Sequence, residues 1–178
     1  MKTKLTITVL FICALCITGC NTDDDEQSID PGYNLIDPEF AEAKQEVIET
    51  WDAIEQSLRD GDMDKLISFH GYSPKFTEYK NGEAVNDGEA NEEFERGAFG
   101  AVTEVVKFDT VDFKVAVYGD VANMTFQSDF HLKFGDNLVI INEQTTLLFV
   151  RTNNGWKIVH EHHSPWTQQK NVPTVSSY

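Results

Sequence analysis

The stretch that decides the fold is "MTFQSDFHLKF", Met124–Phe134. Thr125, Gln127, Asp129, His131 and Lys133 fall on one parity, and Met124, Phe126, Phe130, Leu132 and Phe134 on the other, with Ser128 among them. Successive side chains of a strand point to opposite faces, so this run predicts a strand with one buried and one wetted face. Turn signals stand on both sides: "YGD" at Tyr118, "FGDN" at Phe134 and "TNNG" at Thr152. From Thr103 onward they predict four antiparallel strands joined by hairpins.

Upstream, the period lengthens to that of helices. Asp37-Pro38 offers a cap followed by a proline suited to a first helical turn. Phe40, Ala43, Val47, Trp51, Ile54 and Leu58 then recur at intervals of three and four, which makes one buried stripe. Gly61 ends this helix, and Asp62 opens a shorter one with Met63, Leu66 and Ile67. "SPKFTEYKNGE" reads as a short strand and turn, and a third helix is expected over about Gly88 to Phe99 behind Asp87. The fold class is α+β: a curved antiparallel sheet with three N-terminal helices packed on its concave face.

Strict alternation carried across the turns assigns an inner face to the later strands. It places Trp156, Ile158, His160, His162 and Ser164 beside Glu143, Thr145, Leu147, Phe149 and Arg151. Met124, Phe126, Ser128 and Phe130 join them, as do Val111, Phe113, Val115 and Val117. His163 falls outward with Lys157 and Glu161. One end of the inner face is apolar and the other polar, the usual form of a small-molecule site. The expected pocket residues are Trp51, Phe126, Ser128, Thr145, His160, His162 and Ser164.

Three chemistries compete for that polar end. Glu143 and His162 form a candidate acid–base pair that could move a proton next to a carbonyl. His160 and His162 could chelate zinc with Glu143 as third ligand. Hydrogen-bonded histidines are commoner, however, so neither a metal nor another cofactor is expected. Ser164 and His162 lie two apart on one strand, about 6–7 Å between side chains, too far for a nucleophilic pair.

With these residues in view, the chain resembles the SnoaL-like domains of the nuclear-transport-factor-2-like superfamily. These cone-shaped α+β domains include ketosteroid isomerase and the association domain of calcium/calmodulin-dependent kinase. The resemblance spans Phe40 to Ser164. It rests on the helix junction "RDGDMDKLISF" and on "GWKIVHEHHS", which is similar to the family's Gly-x-Trp-x-x-x-His-x-His-x-Ser ending, with Gly155 here directly before Trp156. It implies that His160, His162 and Ser164 line the cone. Leu147 stands where the kinase association domain carries an arginine, so anion binding is not implied. The implied role is binding a small, largely apolar molecule. An isomerase-, dehydratase- or hydrolase-like activity and a ligand-free association module are the alternatives, so whether the protein is an enzyme stays open.

The ends of the chain bear on location. Lys2 and Lys4 precede an apolar run from Leu5 to Ile17 and then Thr18-Gly19-Cys20, the layout of a signal peptide over residues 1–19. "ITGC" resembles the lipobox of bacterial lipoproteins, which implies lipidation of Cys20. "NTDDDEQSIDPGYNLID" continues as an acidic tether, giving residues 20–36 to the tether, 37–164 to the domain and 165–178 to a C-terminal tail. "NTDDDE" also resembles an acidic export signal of surface-displayed lipoproteins. A plain solvated spacer is the alternative reading of that run, so the expected location is the bacterial cell envelope, lipid-anchored at the outer membrane, with exposure at the surface left open.

Loss of the leader would remove Cys13 and Cys16 and leave no disulfide, thiolate ligand or cysteine nucleophile. The formal charge of −16 becomes −18 without Lys2 and Lys4, which argues against nucleic acid as a partner. Ile140, Leu148, Val150 and Val159 on the expected outer face predict a homodimer.

Overall fold

The computed structural model describes residues 34–83 and 86–166. Three helices, α1 (Ala41–Asp60), α2 (Met63–Ser68) and α3 (Gly88–Gly100), accompany six strands. These are β1 (Thr77–Lys80), β2 (Glu104–Tyr118), β3 (Val121–Phe134), β4 (Asn137–Ile141), β5 (Glu143–Thr152) and β6 (Gly155–Pro165). The sheet runs β1-β6-β5-β3-β2, with β4 paired to the far half of β3. It is mixed, because β1 joins β6 in parallel while the other pairs are antiparallel. The signal-peptide, Cys20 and tether assignments lie outside the described residues, as does the tail beyond Trp166. Among the described residues no helix is long and apolar enough to cross a membrane.

The helical stripe buries as its spacing requires: Ala43, Val47, Trp51, Ile54 and Leu58 all enter the core beneath the sheet. α1 begins later than Asp37-Pro38 suggests. Phe40 occupies the cap position in a left-handed conformation (φ 45°), packs against the core, and accepts the first helical hydrogen bond from Lys44 at 2.9 Å. Asp62 and Asp87 cap α2 and α3 through their carboxylates, which accept from Lys65 N and from Glu89 N and Ala90 N.

Three departures of the sheet from plain alternation shape the surroundings of the site. The expected third long strand is split at Asn142 into β4 and β5. Ser128 holds the junction: its hydroxyl accepts from Glu143 N at 2.8 Å and donates to Ile141 O at 3.2 Å. That is why a serine stands on an otherwise apolar face. In β2 a register shift between Val111 and Lys114, with Asp112 at φ 53°, leaves Val111 exposed instead of turned inward.

The third departure decides the site. Near the turn, Arg151 faces Trp156 and Phe149 faces Ile158, but Leu148 then faces His160, so Val159 is an extra residue. Beyond this bulge the parity of β6 reverses. The loop after α2 runs against β6 at that point, with Ile158 N donating to Phe69 O (2.9 Å) and Gly71 N to Ile158 O (2.7 Å). Gly71 approaches so closely that a Cβ there would lie 3.1 Å from Val159 Cγ1 and 3.2 Å from Lys157 Cβ.

Candidate functional site

Because of the bulge, Glu161 and His163 face inward and His160 and His162 face outward. This reverses the assignment that strict alternation gives. His160 Nδ1 is occupied by Thr77, 2.8 Å from its hydroxyl and 3.0 Å from its carbonyl. His162 is exposed and, with Ser164, borders a shallow polar depression on the outer face beside Asp112, Thr125, Gln127, Gln144 and Thr146. The Glu143–His162 acid–base pair and the His160–His162–Glu143 chelate are therefore not formed.

The concave side encloses a cavity of about 250 Å³. Trp51, Phe126 and Thr145, all expected at the pocket, line it. Ser128 is buried but spent on the β4–β5 junction, and His160, His162 and Ser164 lie across the sheet. The apolar wall comes from every layer: Trp51 and Leu58 from α1, Phe94 and Phe99 from α3, and Phe108, Phe130 and Leu147 from the sheet. Phe108 and Phe130 stack at 3.8 Å between ring centroids, and Trp51 lies 4.8 Å from Phe126.

The opposite wall is a polar cluster assembled from five elements. Glu161, 3 % exposed, is its centre. Its Oε1 lies 2.9 Å from His70 Nε2, and its Oε2 lies 3.3 Å from His163 Nε2 and 3.4 Å from Asn91 Nδ2. Asn91 Oδ1 in turn accepts from the Tyr72 hydroxyl at 2.6 Å. His163 reaches Glu143 with its second nitrogen, Nδ1 to Oε2 at 3.5 Å, and Asn81 Nδ2 donates to the same carboxylate at 3.4 Å. Parallel pairing puts Glu78 in register with Glu161 and Lys80 with His163. Lys80 ends at the cavity with its ammonium 3.4 Å from the centre of the Phe94 ring.

Charge in this cluster follows from its contacts. Burial alone would push the Glu161 carboxyl up, but hydrogen bonds from His163 and His70 hold it far below the ordinary carboxylate range. Burial likewise opposes the charged form of His163, and Glu143 and Glu161 overcome it, raising the imidazole to about 9. His70 is raised as well, since Glu161 outweighs its burial. The hydrogen bond from His163 lowers Glu143, so this carboxylate stays ionised.

Glu95 behaves differently. It lines the cavity from α3, is 8 % exposed, and makes no hydrogen bond among the described residues. Burial first, and the neighbouring Glu161 charge second, push its carboxyl up to about 8. It shares the cavity lining with the aromatic residues, and its proton ionises close to physiological pH.

His70, Glu78, Glu95, Glu161 and His163 were all missed by sequence reasoning. A signal was present for two of them: Ile158-Val159 sets two apolar residues side by side in an alternating strand, a local mark of a bulge. Glu95 carried no such mark, because "NEEFERG" reads as a solvated acidic helix.

Comparison with known proteins agrees with this architecture. Residues 47–168 match the SnoaL-like domain family. No curated protein matches the chain by sequence. Among solved structures, a provisionally assigned dehydratase of the nuclear-transport-factor-2-like family from Streptomyces avermitilis aligns with a TM-score of 0.63 at 22% identity, covering 72% of this chain and 99% of that one. A provisionally assigned aromatic ring hydroxylase from Novosphingobium aromaticivorans aligns at 0.59 with 17% identity, covering 72% and 92%. A provisionally assigned calcium/calmodulin-dependent kinase II association domain from Exiguobacterium sibiricum aligns at 0.56 with 14% identity, covering 74% and 97%. At these identities the likeness is one of fold. The family match spans most of the chain, and the chain belongs to the SnoaL-like family.

Proposed function

We propose that this SnoaL-like domain binds a small, largely apolar molecule and holds its one polar group, a carbonyl or hydroxyl, against Glu95 and His163. The observation that carries this reading is the contrast within the cavity: an aromatic wall faces a carboxylic acid that has no partner among the described residues. A hydrogen-bonding group of a ligand would give that acid the partner it lacks, a contact worth about 1 kcal/mol net. Native mass spectrometry of the full-length protein from its own host tests the reading. A bound organic molecule, or uptake of an apolar ketone supplied in solution, is expected, and Leu147→Trp should abolish it by filling the cavity. A wild-type protein that takes up nothing would instead fit an association module.

A second reading, acid–base turnover of the same ligand, is favoured by one feature: the Glu95 carboxyl titrates at about 8 and faces the cavity. As a carboxylate it would take a proton from carbon beside the carbonyl and return it elsewhere, giving isomerisation, or pass it to a leaving hydroxyl, giving dehydration. Glu95→Gln separates the readings, since it should retain binding and lose turnover.

Location and assembly are inferred from sequence. The leader, "ITGC" and the acidic run support a lipid on Cys20 and an outer-membrane site, and Cys20→Ala should release the protein from membranes. Exposed Leu138, Val139 and Ile140 on β4 support a homodimer, which sedimentation would detect.

A further inference from the structure

The polar cluster contains more carboxylate than its histidines neutralise. Glu78 and Glu161 stand side by side on the parallel pair β1–β6, at 0 % and 3 % exposure. Glu161 has His70, His163 and Asn91 around its two oxygens. Glu78 has one donor: Asn86 Nδ2 reaches Oε2 at 2.8 Å. Its Oε1 is buried with no hydrogen-bond partner among the described residues. A buried carboxylate oxygen left without a partner is costly unless a donor or a positive charge meets it. A carboxylate oxygen of Glu78, one of Glu161 and a ring nitrogen of His163 all lie within 4.8 Å of one another.

We propose that Glu78, Glu161 and His163 form a divalent-cation site of the zinc class. An open zinc site uses three protein ligands and accepts both imidazole and carboxylate, whereas magnesium favours oxygen ligands and keeps several waters. Bonds of about 2.0–2.2 Å place ligand atoms roughly 3.3 Å apart in a tetrahedron, so the widest pair must close by up to about 1.5 Å. The ion would stand where the His163 Nε2–Glu161 Oε2 contact is now. Glu161 and His163 line the cavity and Glu78 lies behind them, so the open coordination position faces a bound molecule. The site is independent of the outward His160 and His162.

The test is titration of the EDTA-treated full-length protein with Zn²⁺ alone, followed by calorimetry. One saturable site is expected. Glu78→Gln and His163→Asn should each weaken it at least about tenfold, the lower range found even for residues that merely support a metal ligand. The double variant His160→Ala/His162→Ala should stay within twofold of wild type. X-ray absorption of the wild-type zinc protein should show one imidazole, which keeps the proposal testable if Glu78→Gln fails to fold. Absence of saturable binding, an unchanged affinity in a folded Glu78→Gln, loss in the His160/His162 variant, or two imidazoles on the metal would each overturn it. Because no organic ligand is present, this result is separate from that of the pocket reading.

Discussion

Replacing Glu95 with glutamine should make the protein more stable at neutral and alkaline pH and leave it nearly unchanged in acid. The folded chain holds the Glu95 proton up to about pH 8, whereas the ordinary value is 4.5. Between those two values the unfolded chain has lost a proton that the folded chain keeps, so wild-type stability falls as pH rises. At about 1.4 kcal/mol for each pH unit, the penalty reaches roughly 3 kcal/mol at pH 7 and about 5 kcal/mol at pH 8 and above. Glutamine does not ionise and escapes it. The assay is urea unfolding of both proteins from pH 4 to 9 with EDTA present, followed through the buried Trp51 and Trp156. The difference in stability should be close to zero at pH 4, climb through pH 5 to 8, and then level. A difference that stays flat across that range, or a glutamine variant that loses ground as pH rises, would refute the assignment of a neutral Glu95.

Three further outcomes follow from the same geometry. Glu161→Gln strips His70 of its counter-charge and leaves His163 with Glu143 alone, and should cost about 3–5 kcal/mol in urea unfolding at pH 7. Ser128→Ala leaves the backbone at the β4–β5 junction short of one donor and one acceptor, and a loss of about 1–3 kcal/mol is expected in the same assay. His162→Ala touches only the outer face, so stability should move by less than about 0.5 kcal/mol and ligand uptake should persist. Uptake abolished by that change would return the site to the other side of the sheet.

The sequence made the architecture legible because the architecture rests on periodicity. The stripe from Ala43 to Leu58 and the alternation from Met124 to Phe134 each depend on near neighbours, and both bury as their spacing demands. The site was less legible because it depends on distant pairings. The parity of β6 is set at Val159, where a loop from the far side of α2 takes up the backbone of Ile158. Glu78 reaches the cluster only through a parallel pairing that no turn signal announces. The proton on Glu95 is a property of its surroundings: the same residue on an exposed turn of α3 would be an ordinary anion.

The surplus residue in the last strand also affects how this chain is compared with others. Counting forward from Trp156 gives the wrong orientation for everything after Ile158, and column-by-column transfer from a relative without the extra residue would swap cavity-facing and solvent-facing histidines. A trustworthy alignment here must be anchored downstream, on the Glu78–Glu161 partnership, with a one-residue gap allowed at Val159.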